Sequence, residues 1–226
     1  MVLVARSHDR LSEMAQLLSG ATNVNVEVLV ADLSTREGTA AVAARVAERD
    51  RPIDLLVNNA GYGLKSGFLE SEVEDEVAAL DVMVRAVLVL SHAAAGAMTT
   101  RGRGAILNVS SIAGWLGNGT YAAHKACVTS FTEGLASQLK GTGVTATAVL
   151  PGLTHTEFHE RAELSAYDEL PELAWLDAED VVRAALGAVR RKQVLVTPSV
   201  RYGALAGIVK VLPRTWVRAA AGRNRI

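Results

Sequence analysis

Ala105-Ile106-Leu107-Asn108-Val109-Ser110-Ser111 and, nine residues further on, Tyr121-Ala122-Ala123-His124-Lys125 carry most of what this chain discloses about itself. The first run is apolar and of strand length, as expected of a strand covered on both faces. It ends in two serines. The second opens a helical pattern that runs to Leu139, and places a tyrosine and a lysine four positions apart, on one helix face. Between them lie Gly114, Gly117 and Gly119, a connection short enough to fold back over the strand end.

Working outward, short β-branched runs alternate with longer helical patterns. Strands are predicted at Val2–Ala5, Val24–Ala31, Ile53–Asn58, Ala105–Ser110, Val144–Leu150 and Val194–Thr197. Helices are predicted at Asp9–Leu18, Thr35–Arg49, Ser71–Met98, Tyr121–Leu139 and Ala178–Arg190, with Ser34 and Asp177 placed as N-caps. Strand–helix alternation throughout means an α/β fold, a doubly wound parallel sheet with helices on both faces. One unit over 1–226 is expected, without internal repeat or linker. Residues 152–177 break the rhythm as an irregular acidic segment, and 201–226 form a basic tail.

Composition narrows the class. The chain has 226 residues, half of them hydrophobic and 21% charged, which excludes general disorder. A net charge of −1, from 23 basic and 24 acidic residues, excludes a body built to hold nucleic acid. A single cysteine, Cys127, forms no internal disulfide; it fits a reducing compartment and reads as a small packed residue. Val77 to Met98 is apolar but carries Asp81, Arg85 and His92, so it reads as a core helix and not a membrane span. No leader pattern follows Met1, and a cytoplasmic protein is expected. The histidines, His155 and His159 included, show no metal-ligand pattern.

Ligands of open α/β sheets sit beyond the carboxyl ends of the strands. Here those ends are Arg6-Ser7, Asp32, Asn58-Asn59-Ala60-Gly61, Ser110-Ser111 and Pro151-Gly152. A phenol titrates too high to be a good acid or base at neutral pH, and a nearby ammonium favours its phenolate. Tyr121 beside Lys125 is therefore a candidate proton donor to a carbonyl oxygen, or acceptor from an alcohol. Ser111 is placed to hydrogen-bond the same oxygen. A Tyr-x-x-x-Lys spacing alone arises by chance in about one such chain in ten; its place after a strand ending in Ser-Ser gives it weight.

Asn58-Asn59-Ala60-Gly61, Asn108 to Gly114, Tyr121 to Lys125, and Pro151-Gly152 with Thr154 and Thr156 occur in the order and context of the short-chain dehydrogenase/reductase family, which the whole chain resembles. The resemblance implies a Rossmann-type sheet and a nicotinamide-dependent oxidoreductase acting on a small carbonyl or alcohol substrate. It implies Tyr121 as acid/base, Lys125 as its electrostatic partner and ribose ligand, and Ser111 as the residue that orients the substrate oxygen. Asn58, Ala60 and Gly61 would line the adenosine side and Asp32 would lie near the adenine. Pro151 and Gly152, with Thr156 and Thr154 beside them, would hold the nicotinamide end. Arg6, at the end of a strand with no acid before Asp9, resembles members that prefer NADP, with NAD the other possibility. Pairing through Ser71–Met98 and Tyr121–Leu139 into a homodimer or homotetramer is implied as well.

Three departures stand against this. No glycine-rich turn follows a first strand, so the chain looks N-terminally truncated relative to the family. An upstream start and a gap in the sheet are the corresponding expectations. Met83 stands where the family commonly has an asparagine, and it cannot hydrogen-bond as an amide does. The Ser111–Tyr121 connection is short. Together the first two keep open a rival reading, a non-catalytic binding or scaffold protein of the same descent.

Overall fold

The computed structural model describes residues 1–64, 66–117, 119–156, 171–213 and 215–217. Strands β1 (Val2–Ala5), β2 (Glu27–Val30), β3 (Leu55–Asn58), β4 (Gly104–Val109), β5 (Val144–Val149) and β6 (Leu195–Val196) alternate with helices. These are α1 (His8–Thr22), α2 (Arg36–Ala47), α3 (Val73–Leu80), α4 (Ala86–Arg101), α5 (Ala113–Leu116), α6 (Gly119–Gln138), α7 (Ala178–Arg190) and α8 (Val200–Val211). All pairings are parallel. The register sets Asn58 beside Asn108 and Val109 beside Val149, which aligns the carboxyl ends of β3, β4 and β5.

The sheet is in two pieces, β1–β2 and β3–β4–β5–β6, with no ladder between them among the described residues. Packing joins the pieces. Ala31, Val42, Val46, Leu56, Leu90, Ala94, Met98, Ile106 and Ala146 form one buried cluster, against which Val4 and Leu29 rest. Burial of this apolar surface, at about 25 cal/mol per Å², holds the halves together where no strand-to-strand hydrogen bonds do. Val57, on the opposite face of β3, is 46% exposed.

Several local expectations are corrected. The N-cap of α2 is Thr35, not Ser34: Thr35 Oγ1 accepts from Gly38 N at 3.0 Å, while the Ser34 amide and hydroxyl are both taken by Asp32 Oδ1. Asp177 does cap α7, accepting from Glu179 N at 2.7 Å. The predicted helix 71–98 is a composite: α3 and α4 are joined by a π-turn, Asp81–Arg85, which inserts one extra residue per turn and rotates the face that α4 presents to the core. Val73–Arg101 as a whole is long and apolar enough to cross a membrane, but Ala79, Met83, Ala86, Leu90, Ala94 and Met98 are buried in the core. Cys127 is exposed, since Lys125 and Thr129 turn inward and the residue midway between them faces out. Most of the acidic segment (157–170, with Glu157, Phe158, His159, Leu164 and Tyr167) and, of the basic tail, residues 214 and 218–226 lie outside the described residues.

Candidate active site

Asn108 and Asn58 lie side by side on β4 and β3, and their side chains close the base of the site. Asn58 Nδ2 donates to Asn108 Oδ1 at 2.8 Å and to Ser91 Oγ at 3.1 Å; Asn108 Nδ2 donates to Thr132 Oγ1 at 2.8 Å. Asn108 is fully buried. Unpaired buried amides are costly, so this network fixes β3, β4, α4 and α6 in one arrangement.

Strand alternation then splits the two serines. Ser110 turns inward: its Oγ donates to the Lys125 carbonyl at 2.7 Å and lies 2.7 Å from Thr129 Oγ1. It pins the helix that bears the tyrosine and lysine. Ser111, half-buried, faces the strand ends; its Oγ accepts from Ala113 N at 3.1 Å and donates to the Pro151 carbonyl at 3.4 Å. Ile112 N also bonds the Pro151 carbonyl, tying the β4 and β5 turns together.

α5 lies directly on α6. A Cβ on Gly114 would stand 2.7 Å from Ala126 N, so only glycine permits this approach. In the first turns of α6, Lys125 Nζ sits 5.6 Å from the centre of the Tyr121 ring and donates to the Val109 carbonyl at 2.8 Å. The lysine is 5% exposed, and burial pushes its ammonium down to about 8. A Cβ on Gly61 would meet both this ammonium, at 3.5 Å, and the thioether of Met83, 2% exposed, at 3.4 Å. His124, between tyrosine and lysine, is also buried; desolvation holds its imidazole below the ordinary value, against the opposing pull of Glu76.

Arg6, exposed, and Asp32, in the turn after β2, are close enough to interact. The Asp32 carboxyl is held below the carboxylate range first by the Ser34 hydroxyl, then by the Ser34 amide, with Arg6 adding to it. Ala60 is exposed and Gly61 half-buried. On the β5 side, Gly152 touches the Tyr202 ring of α8. Thr154 is bridged to Leu176 and donates to the Gly152 carbonyl, and Thr156 Oγ1 donates to the Thr154 carbonyl at 3.4 Å. His155 stacks on Trp175 with ring centres 4.7 Å apart.

The nearest side chains thus fall into two groups, Ser111, Tyr121, Lys125 and Pro151 around the ends of β4 and β5, and Arg6 with Asp32 around the ends of β1 and β2. Such a constellation can exchange a proton with an oxygen and hold a polar ligand along the strand ends. A family model described as short chain dehydrogenase matches residues 1–165.

The chain belongs to the short-chain dehydrogenase/reductase family.

An uncharacterized oxidoreductase of Staphylococcus saprophyticus is 31% identical over 194 residues, 84% of this chain and 80% of the relative. Sulfoacetaldehyde reductase 2 of Chromohalobacter salexigens is 33% identical over 190 residues, 80% of this chain and 75% of that protein. Among solved structures, a short-chain dehydrogenase from Sphingobium yanoikuyae in complex with NADPH superposes with TM-score 0.82 at 34% identity, covering 92% of this chain and 83% of that one. The bulky-bulky ketone specific alcohol dehydrogenase from Comamonas testosteroni gives TM-score 0.78 at 30% identity, covering 94% and 84%. The family assignment makes this chain an oxidoreductase with a nucleotide-binding Rossmann-like fold. Two features of this family member escaped the sequence: the inward role of Ser110, for which strand alternation was the available signal, and Arg85, visible only as one half of an i,i+4 pair with Asp81.

Proposed function

We propose that this chain is an NADP-preferring reductase or dehydrogenase that moves a hydride between nicotinamide and a carbonyl or secondary alcohol. The observation that carries this reading is Lys125: a buried ammonium held by the Val109 carbonyl, 5.6 Å from the Tyr121 ring and one helical turn along. A structural role alone does not explain a lysine buried at that cost.

The residues fit the two nucleoside ends of such a cofactor. Gly61 leaves room beside Lys125 Nζ that any larger side chain would fill, and Lys125 is the donor for a ribose hydroxyl there. Asp32, kept ionised by Ser34, and Arg6 stand at the adenine end, where a guanidinium suits a 2′-phosphate. The NADPH in the Sphingobium relative supports the same preference. The nicotinamide, when bound, supplies the hydride. Tyr121 hands its phenolic proton to the carbonyl oxygen in the reductive direction and takes it back in the oxidative one. Lys125 favours the phenolate throughout, and Ser111 donates a hydrogen bond to the same oxygen as charge develops on it. Thr154 and Thr156 orient the nicotinamide end. Leu153, Leu173 and Trp175 give the approach a moderately apolar wall. The protein is assigned to the cytoplasm, as a homodimer or homotetramer joined through α3, α4 and α6.

The test is NADPH consumption by this chain with a panel of apolar aldehydes and ketones, beside Tyr121→Phe. Turnover is expected in the wild type and a loss of at least about 100-fold in the variant, the scale of a general acid. NADPH binding with equal turnover in both proteins overturns the assignment of Tyr121. No binding at all favours the scaffold reading, to which Met83 in place of an amide points.

A further inference from the structure

Arg85 ends the π-turn and directs one end of its guanidinium, Nη2, to a neighbouring loop. Nη2 donates to the carbonyls of Leu33 at 3.3 Å, Ser34 at 3.2 Å and Thr35 at 3.1 Å; Nη1 donates to Thr39 Oγ1 at 3.4 Å. Nε is held by Asp81 Oδ1, one turn back on the same helix. Three successive main-chain carbonyls point at one cation because the chain turns there, between β2 and α2, before helical bonding begins. A planar fork with five donors can serve these carbonyls, Thr39 Oγ1 and Asp81 Oδ1 together from three separate nitrogens; the single nitrogen of an ammonium cannot.

That loop continues directly from Asp32. Its other restraints are internal to the β1–β2 half: Asp32 Oδ1 takes the Ser34 amide and hydroxyl, and Gly38 lets α2 approach so closely that a Cβ there would stand 2.1 Å from the Asp32 carbonyl. Arg85 alone among these groups belongs to the other half of the molecule, whose sheet shares no ladder with β1–β2. Two residues before Arg85, on the same π-turn, Met83 faces Gly61, which in turn faces Lys125. One five-residue turn therefore abuts both ends of the site.

We infer that Arg85 is a positioning residue for the cofactor: it fixes the Asp32–Thr35 turn, and with it the adenine end, at a set distance from the Tyr121–Lys125 end. The inference rests on the oxidoreductase reading above. It makes the π-turn a joint that transmits position from one nucleoside subsite to the other. Arg85 touches no reacting atom, so its loss acts on binding and not on the proton transfer.

Arg85→Lys keeps the charge facing Asp81 and gives up the fan of carbonyl bonds. Steady-state kinetics on the full chain are expected to show KM for NADPH raised about tenfold, with kcat within about twofold and KM for the carbonyl substrate unchanged, the signature of lost uniform binding. Amide exchange at Ser34 and Thr35 is expected to quicken in the variant while the melting temperature stays within a few degrees, a local loosening and not a general one. Arg85→Met is expected to behave alike with a larger KM effect. An unchanged KM for NADPH in Arg85→Lys, or a fall in kcat at constant KM, overturns the inference alone. Failure of the wild type to bind NADPH in a fluorescence titration overturns it together with the reading on which it rests.

Discussion

Replacing Lys125 by methionine is expected to abolish turnover and yet leave the protein no less stable at pH 7. Burial lowers this lysine from 10.5 to about 8. The distance between those values corresponds to roughly 3 kcal/mol that the fold forgoes to keep the group charged. Methionine fills a similar volume without that penalty. Against the gain stands the Val109 carbonyl, which loses its 2.8 Å donor; a buried orphan of this kind costs about 1–3 kcal/mol. The two nearly cancel, leaving the variant between equal stability and a gain of about 2 kcal/mol at pH 7.

The pH dependence separates this account from any generic effect of the substitution. Below pH 8 the lysine is protonated in both folded and unfolded chains, and its penalty is present in full. Between about 8 and 10.5 the folded protein releases the proton first, so the unfolded chain binds more protons and wild-type stability rises. Titrations common to both proteins drop out of the difference. The stability of Lys125→Met relative to wild type should therefore fall by about 3 kcal/mol from pH 7 to pH 10.5. Urea denaturation of both proteins at four pH values in this range measures it. A difference that does not change with pH would refute the claim that Lys125 is held charged in a desolvated site.

Two further outcomes rest on packing. Gly114→Ala places a Cβ against the backbone of Ala126 and Lys125, where nothing flexible can yield; a loss of about 1–3 kcal/mol by thermal or urea unfolding is expected, and unchanged stability would mean that α5 lifts away freely. Val77, Leu80, Leu88 and Val89 expose apolar surface along α3 and α4, from 50% at Val77 to 37% at Val89. Light scattering should find a homodimer or homotetramer that Leu80→Lys with Leu88→Lys dissociates; a monomeric wild type removes the proposed oligomer.

The parallel α/β order was legible because buried strands and amphipathic helices write different periods, and six strand centres were placed correctly. Their ends were less so. Val24 to Val26 lie outside β2 because Asn23 adopts a left-handed conformation (φ 55°) that closes α1 and forces a loop before the strand. The π-turn left no trace: Asp81-Val82-Met83-Val84-Arg85 contains neither proline nor glycine, and an added residue within a helix changes facing without changing composition. Tyr121, Lys125 and Ser111 could be chosen as candidates because each follows a strand end at fixed spacing. Arg85 and the His155–Trp175 stack could not, since their partners at Leu33 to Thr35 and across the 157–170 segment are settled by tertiary packing.

Met83 shows how such packing can change the meaning of a substitution. Read from sequence, a methionine in place of an amide removes polar support from the active-site lysine and argues for impaired chemistry. In the fold, that lysine has its support elsewhere, from the Val109 carbonyl, and both it and Met83, which lie beside Gly61, are buried. A charge in so dry a setting acts on a neighbouring phenol through a lower effective dielectric than a hydrated one, so each ångström of separation counts for more. On the proposed reading, the lysine is thus both hydrogen-bonded, by Val109, and desolvated. Burial brings the titration of this lysine down to about 8, so on the proposed reading its ammonium acts on Tyr121 over a narrower range of pH than that of an exposed lysine.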